Sequence, residues 1–307
     1  MNAAPDLYLP PHIYESQIVA SVGLVSDTHM PDRCLALPPA LFAALRGVDL
    51  LIHSGDVGEL WVLDRLSAIA PVVAVHGNDD SADSKRELPA QQVIAIAGQR
   101  LCVIHGHYPD RAEELASRLD DTWWPKFERW LGMGAAVGAA VTIYGHSHIP
   151  MALQREGMLL VNPGAIASGN LVTRQGVKTV ARLYLLKNQP PVVVHIDLAA
   201  PDRPFAPEYD WDAGFIAARD KYGYQVSILD PNLQTRWSAI EPRLMQIIFG
   251  AESAPFGQVI VEAFKRLAHR CWSGERETIT RHEVIAAFAA LTELPEPLRA
   301  EIVGLLR

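Results

Sequence analysis

Gly145-His146-Ser147-His148 follows a short apolar run at residues 141–144, and histidines alternating with small residues read as a tight turn that presents both imidazoles. Two imidazoles two residues apart can each reach a different metal ion. Working outward toward the N-terminus, four more polar motifs each close an apolar run: Asp27-Thr28-His29, Gly55-Asp56, Gly77-Asn78-Asp79-Asp80 and His105-Gly106-His107. Strands that deliver polar groups at their carboxyl ends place those groups along one sheet edge. Together the motifs make a ligand set for two divalent ions.

The runs between the motifs set the architecture. Residues 18–25, 49–53 and 71–75 read as buried strands, with helices expected at 39–46 and 59–69, which is repeated β-α-β and a largely parallel sheet. Residues 92–97 and 101–105, joined by Gly98-Gln99, leave no room for a helix and begin a second sheet. A helix is expected over 110–131 with Glu113, Glu114 and Arg118 outward, then a hairpin over 149–154 and 158–161, the Asn162-Pro163-Gly164 turn, and closing strands at 178–186 and 192–198. Residues 1–17, with three prolines, read as an arm lying over the fold or partly disordered, residues 18–200 as the main domain, and the proline-rich 201–207 as a linker. Residues 208–307 read as a helical appendage with helices at 236–249, 258–271, 281–291 and 297–306, the third opened by a Thr280-to-Glu283 capping box.

Composition narrows the function. The 307 residues carry a formal charge of −8, which disfavours a broad nucleic-acid footprint but not a small anion held by metal ions, whose own charge dominates locally. The N-terminus lacks a basic region and an apolar signal core, and no run is long enough to span a bilayer, so a cytoplasmic protein is expected. Cys34, Cys102 and Cys271 are scattered and odd in number, which fits reduced, buried thiols.

Hydrolysis of a phosphoester at neutral pH needs a strong nucleophile and relief of phosphoryl charge, and two ions about 3.5–4 Å apart supply both. The natural bridge is a carboxylate, and Asp56, beside the small Gly55, is assigned that place. Asp27, His29 and His148 complete one site; Asn78, His105 and His146 complete the other. Mixed carboxylate, amide and imidazole donors without thiolate suit manganese, with iron, zinc or nickel as other fits, and not a structural zinc.

With Asp-x-His, Gly-Asp, Gly-Asn, His and Gly-His-x-His in that order, residues 18–198 resemble the calcineurin-like metallophosphoesterase superfamily, and look most like its compact prokaryotic phosphodiesterase branch. The resemblance implies an α/β fold, a four-layer αββα sandwich of two mixed sheets flanked by helices, here with a C-terminal all-helical appendage. It implies a dimetal-dependent phosphodiesterase acting on a small or nucleotide-like phosphoester. The implied chemistry is in-line attack by a metal-bridging hydroxide, with Asp56, Asn78, His146 and His107 as the catalytic set. A homo-oligomer is compatible with it. The alternative is a non-catalytic scaffold of the same fold whose C-terminal helices dock a partner.

Two departures matter. Members such as protein phosphatases have histidine after Gly-Asn, often taken as the leaving-group acid, whereas this chain has Asp79; good leaving groups should then react best, unless His107 serves. Ala165 stands where the branch often has serine. Of the remaining polar residues, His53 is expected in the core or behind the ligands, His76 in backbone packing, and Asp79 and Asp80 in structural roles, Asp80 capping its turn. Arg33 is expected on an exposed loop, a phosphate contact being its other reading, and Trp123 and Trp124 in packing more than in a lid. His12, His195, His269 and His282 have no constellation. Residues 272–283 place Trp272, Gly274 and Arg276 where a calcium loop needs oxygen ligands, so calcium is rejected there.

Overall fold

β-Branched residues dominate the first strand, β1 (Ile18–Val25), and its neighbours in space bury it on both faces. The computed structural model describes residues 7–223, 226–249 and 254–307. Along the chain β1 is followed by α1 (Pro39–Ala44), β2 (Leu50–His53), α2 (Trp61–Leu66), β3 (Val72–Ala74), α3 (Ala82–Glu87), β4 (Gln91–Ile96) and β5 (Gln99–Ile104). Next come α4 (Arg111–Leu119), α5 (Trp124–Ala136), β6 (Val141–Ile143), β7 (Met151–Arg155), β8 (Met158–Asn162), β9 (Thr173–Arg174), β10 (Thr179–Leu186), β11 (Val192–Asp197) and α6 (Gly214–Tyr222). The strand β12 (Val226–Ser227) and the helices α7 (Pro231–Phe249), α8 (Ala254–Trp272), α9 (Arg281–Ala289) and α10 (Glu296–Leu306) complete the described elements.

Two five-stranded mixed sheets result, ordered β11-β10-β1-β2-β3 and β4-β5-β6-β8-β7. In the first, β1, β2 and β3 run parallel, β10 runs antiparallel to β1 and β11 antiparallel to β10; in the second, β5, β6 and β8 run parallel between antiparallel edges. The period-2 pleat sorts alternate residues into different layers. Leu24, Ile52 and Leu183 meet Val103, Ile143 and Val161 between the sheets. Their neighbours Val25, Leu51 and Val180 pack instead on Leu41 and Ala44 of α1 and Val62 and Leu66 of α2. Cys102, Ile104 and Leu160 pack on Phe127 and Trp130 of α5 and on Phe215 and Tyr222 of α6. The layers are therefore helix, sheet, sheet, helix, as expected.

Several expectations are corrected. The helix expected over 110–131 is two helices, because the Asp120 carboxylate accepts from the Thr122 amide and hydroxyl and Pro125 starts the second. The arm lies on the first sheet in its described part: Tyr8 and Ile13 are buried, and Arg182 stacks on the Tyr8 ring. The chain divides into two compact units, residues 1–169 with 175–225, and 170–174 with 226–307, so the boundary expected at 201–207 falls elsewhere. The reason is aromatic packing: Tyr209, Trp211 and Phe215 cluster with Trp123, so this segment belongs to the first unit. All three cysteines are buried and free. No helix among the described residues is long and apolar enough to cross a membrane.

In the second unit α7 to α10 enclose Leu233, Leu244, Phe264, Phe288 and Ile302, and β12 pairs with β9. Thr280 accepts from the Glu283 amide and the Glu283 carboxylate accepts from the Thr280 amide, the expected capping box. Arg276 also pairs with Glu283, so that carboxylate is committed within the protein, in keeping with the rejection of calcium. Asp230 caps two helices at once, accepting from the Leu233 amide at 2.8 Å and the Arg281 amide at 3.0 Å.

His195 on β11 is buried and donates from Nε2 to the Asn162 carbonyl at 2.7 Å; burial pushes its pKa down to about 4, against the pull of that carbonyl. Between the unfolded value near 6.5 and the folded value, the unfolded chain binds a proton that the native state refuses, so stability falls as pH drops through this window. Urea unfolding at pH 7 and pH 5 should show His195→Gln losing about 2 kcal/mol less than the wild type over that interval. Equal losses would mean that His195 is not titrating as the burial requires.

Candidate metal centre

Four of the five ligand motifs leave their strands through a left-handed backbone that few residues tolerate. Asp27, His29, Asp56, His146 and His148 all have φ between 43° and 63°, the left-handed region, which Asp and His enter at lower cost than β-branched residues. Backbone strain of this kind collects where a side chain must be aimed. The motif glycines answer a different need, room for the neighbouring motif's side chain. A Cβ on Gly77 would fall onto Asp56 Oδ1, one on Gly145 onto Ser26 Oγ, and one on Gly55 would lie 2.6 Å from His105 Nδ1. Asn162 then ties down the last turn, donating from Nδ2 to the Gly145 carbonyl at 2.7 Å and Ser147 Oγ at 3.0 Å.

These turns bring the expected residues together. Asp27, His29 and His148 form one cluster of potential ligand atoms, Asp56, His105 and His146 a second, and His29, Asp56 and Asp79 a third that overlaps both. Asp56 Oδ2 lies 3.7 Å from His29 Nε2 and 3.1 Å from His105 Nε2, so a single oxygen faces both sides. Asp27 Oδ1 lies 3.1 Å from His148 Nε2 and 3.8 Å from His29 Nε2. Asn78 lines the same cleft as Asp56, His146 and His148.

The inward atoms fit a cation. Asp27 Oδ1, Asn78 Oδ1 and His105 Nε2 are buried without a hydrogen-bond partner, although the first and last sit 3.1 Å from an opposite group. Most of the outward atoms are engaged. Asp27 Oδ2 accepts from Ser26 Oγ and the His146 amide, and Asp56 Oδ1 accepts from the Asp79 amide. His105 donates from Nδ1 to the Ser54 carbonyl at 2.9 Å and His148 Nδ1 faces Gln175 Oε1 at 3.3 Å, which turns each Nε2 inward.

Electrostatics follow from burying these groups. Burial alone would raise Asp27 and Asp56, but the imidazoles of His148 and His105 respectively hold them well below the usual carboxylate range. His105 shows the converse: burial disfavours its charge, yet Asp56 and Asp27 raise it to about 10. Burial, then the nearby Arg33, lowers His29 to about 4; burial, then His105, lowers His107 to about 4. Asp80 accepts from the Gly58 and Gly77 amides at 2.6 Å each, the turn cap expected, and burial with the charge of Asp56 lifts it to about 6.

Other residues divide as follows. His107 stands outside the three clusters, its ring 5.4 Å from that of His105 and 6.1 Å from that of His146. His53 is buried behind the ligands, accepting from the Gly55 amide and meeting Thr28 Oγ1, and His76 packs against the Gly77 carbonyl. Trp123 is buried in the aromatic cluster as packing requires, whereas Trp124 is 47% exposed, with Arg155 over its ring and Phe127 at its edge. Ala165 is buried. Arg33 is not an exposed loop residue: its side chain is 12% exposed and pairs with Asp79 at 2.6 Å. Nor does Glu114 point outward. It is 3% exposed, and it accepts from His146 Nε2 at 2.9 Å, Arg118 Nε at 2.7 Å and the Tyr108 amide at 2.9 Å. Burial opposes its charge, but His146 and Arg118 hold it below the usual carboxylate range. The pairing occupies Nε2 and leaves Nδ1 of His146 as the ring nitrogen that could meet a cation.

Comparison with known proteins agrees with this geometry. The calcineurin-like phosphoesterase superfamily domain matches residues 21–187. Over 146 residues the chain is 38% identical to a "probable metallophosphoesterase" of Methanocaldococcus jannaschii, covering 47% of this chain and 67% of that one. It is 35% identical over 144 residues to a "probable metallophosphoesterase" of Methanothermobacter thermautotrophicus, covering 47% and 76%. Phosphodiesterase YfcE of Escherichia coli is 32% identical over 113 residues, covering 34% of this chain and 50% of that one.

Because Glu114 orients His146, Glu114→Gln should weaken divalent-metal binding at this centre by about 10- to 100-fold, the usual effect of losing a carboxylate behind a histidine that holds a metal. Calorimetric titration of the metal-free protein measures it, and an unchanged affinity would show that His146 is oriented without Glu114.

Proposed function

The chain belongs to the calcineurin-like phosphoesterase superfamily, and on that footing we propose that it is a dimetal-dependent phosphodiesterase acting on a small or nucleotide-like substrate. The observation that carries the reading is Asp56 Oδ2, set between His29 and His105 with the bare atoms of Asp27, Asn78 and His105 around it. Asp27, His29, Asp56 and His148 would hold one ion and Asp56, Asn78, His105 and His146 the other, with manganese the best fit to the donors and iron, zinc or nickel also accommodated. Two divalent ions there would lower the pKa of water and neutralise phosphoryl charge, the chemistry that hydrolysis at neutral pH requires.

The residues of the chain supply the rest. His107, neutral at pH 7 when its pKa is near 4, serves as a hydrogen-bond donor to the phosphoryl group and not as a store of protons, which favours esters with good leaving groups. Beyond the ligands the cleft is lined by Arg118 and Arg219, cations that suit an anionic substrate. The name of the Escherichia coli relative supports a diester over a monoester.

Manganese-reconstituted hydrolysis of an aryl phosphodiester and an aryl phosphomonoester with the same good leaving group tests the reading. Turnover should require metal and favour the diester, and Asp56→Asn should lower kcat/KM by at least about a hundredfold. Metal binding without cleavage of either ester under manganese, iron, zinc or nickel would overturn it.

A further inference from the structure

The loop after the first motif carries a cation into the centre. Arg33 closes a turn by donating its amide to the His29 carbonyl at 2.9 Å, so its side chain folds back toward the motif that precedes it. One end of its guanidinium, Nη2, bonds Asp79 Oδ2 at 2.6 Å; the other, Nη1, donates to the Ser168 carbonyl at 3.1 Å and lies 3.5 Å from His29 Nε2. That imidazole nitrogen is the one aimed at Asp27 and Asp56. Asp79 is anchored in turn, its amide donating to Asp56 Oδ1 at 2.8 Å and its Oδ1 accepting from Asn78 Nδ2 at 2.8 Å.

A carboxylate at position 79 makes little chemical sense by itself. It stands beside the buried carboxylate of Asp56 and would repel a phosphoester, whose charge the site must attract. Paired with Arg33 it becomes a tether for a planar fork of donors, the geometry that matches phosphate oxygens. From this arrangement we propose that Arg33 is a catalytic residue that donates to a non-bridging phosphoryl oxygen of the bound substrate, with Asp79 as the positioning residue that aims it. An oxyanion lying against His29 is within reach of the Arg33 Nη1 donor. The Asp79–Arg33 pair thus holds a cation beside the centre, in a chain that has Asp79 where protein phosphatases of the superfamily have histidine. The assignment rests on the phosphoesterase reading for its catalytic part, but phosphate recognition by Arg33 is measurable without turnover.

The test uses the full-length, manganese-loaded protein and compares wild type, Arg33→Met, Arg33→Lys, Asp79→Asn and Arg33→Met/Asp79→Asn. Inorganic phosphate binding should weaken by at least about tenfold in Arg33→Met, and kcat/KM should fall by about a hundredfold, the scale for losing one donor to a charged oxygen. The loss should be the same for two aryl diesters whose leaving groups differ in pKa, and manganese affinity should not change. Arg33→Lys, which keeps the charge and loses the fork, should recover only part of the activity. Asp79→Asn should give a smaller loss, and the double variant should be no worse than Arg33→Met, since the tether matters only through what it holds.

Phosphate affinity and kcat/KM in Arg33→Met within about twofold of wild type would overturn the assignment. So would a loss that grows with leaving-group pKa, which would move Arg33 to the leaving oxygen. Weakened manganese binding in Asp79→Asn would make Asp79 a metal ligand and end its positioning role. If Arg33→Met does not fold, Arg33→Lys carries the same comparison. A wild type that binds phosphate through Arg33 but cleaves no ester would sink the hydrolase reading and leave the phosphate contact standing.

Discussion

Two carboxylates, Asp27 and Asp56, are buried within reach of the same imidazole, that of His29, and much of the first unit is arranged to make that tolerable. An uncompensated charge in an interior is among the most costly things a fold can hold. Here each carboxylate has one oxygen bound by amide or hydroxyl donors, while the other faces imidazole nitrogens. The unsatisfied side is shared by both groups. A divalent cation is the simplest partner for such a surface, because it offers charge without demanding the direction of a hydrogen bond.

The sandwich makes this concentration of polar groups affordable. Sheets buried on both faces supply rigid strand ends, and the cost of the left-handed turns at Asp27, His29, Asp56, His146 and His148 is met by packing elsewhere. The supports continue outward by hydrogen bonds, from His105 to Ser54, from His146 to Glu114 and Arg118, and from the last turn to Asn162. Precision at the centre therefore depends on residues that never face it.

The second unit is organised by a different constraint, the orphan amides at helix starts. Asp230 serves α7 and α9 together, and Thr280 with Glu283 closes α9 a second time. The capping box was visible in the sequence because its partners are three residues apart. The role of Asp230 at α9 was not, since its second partner is fifty-one positions away.

The same distinction separates what the sequence alone determined from what only the tertiary structure decided. The order of the ligand motifs, the strands that carry them and both sheets are legible locally, because a strand end and the polar group it delivers are neighbours in the chain and the pleat writes burial as alternation. Glu114 had no such signal. An acid four residues before Arg118 reads as a solvated surface pair, and only the approach of His146 from another motif makes it a buried support. Arg33 and Asp79 likewise look like ordinary loop charges until the turn after His29 brings them to 2.6 Å. The unit boundary was misplaced because proline marks a break in secondary structure, whereas membership is decided by burial, here that of Phe215 and Tyr222 against Trp130 and Phe127. Chemistry carried by adjacent residues could be read from the chain; chemistry made by distant side chains meeting could not, because a one-dimensional sequence does not encode which surfaces will be driven together.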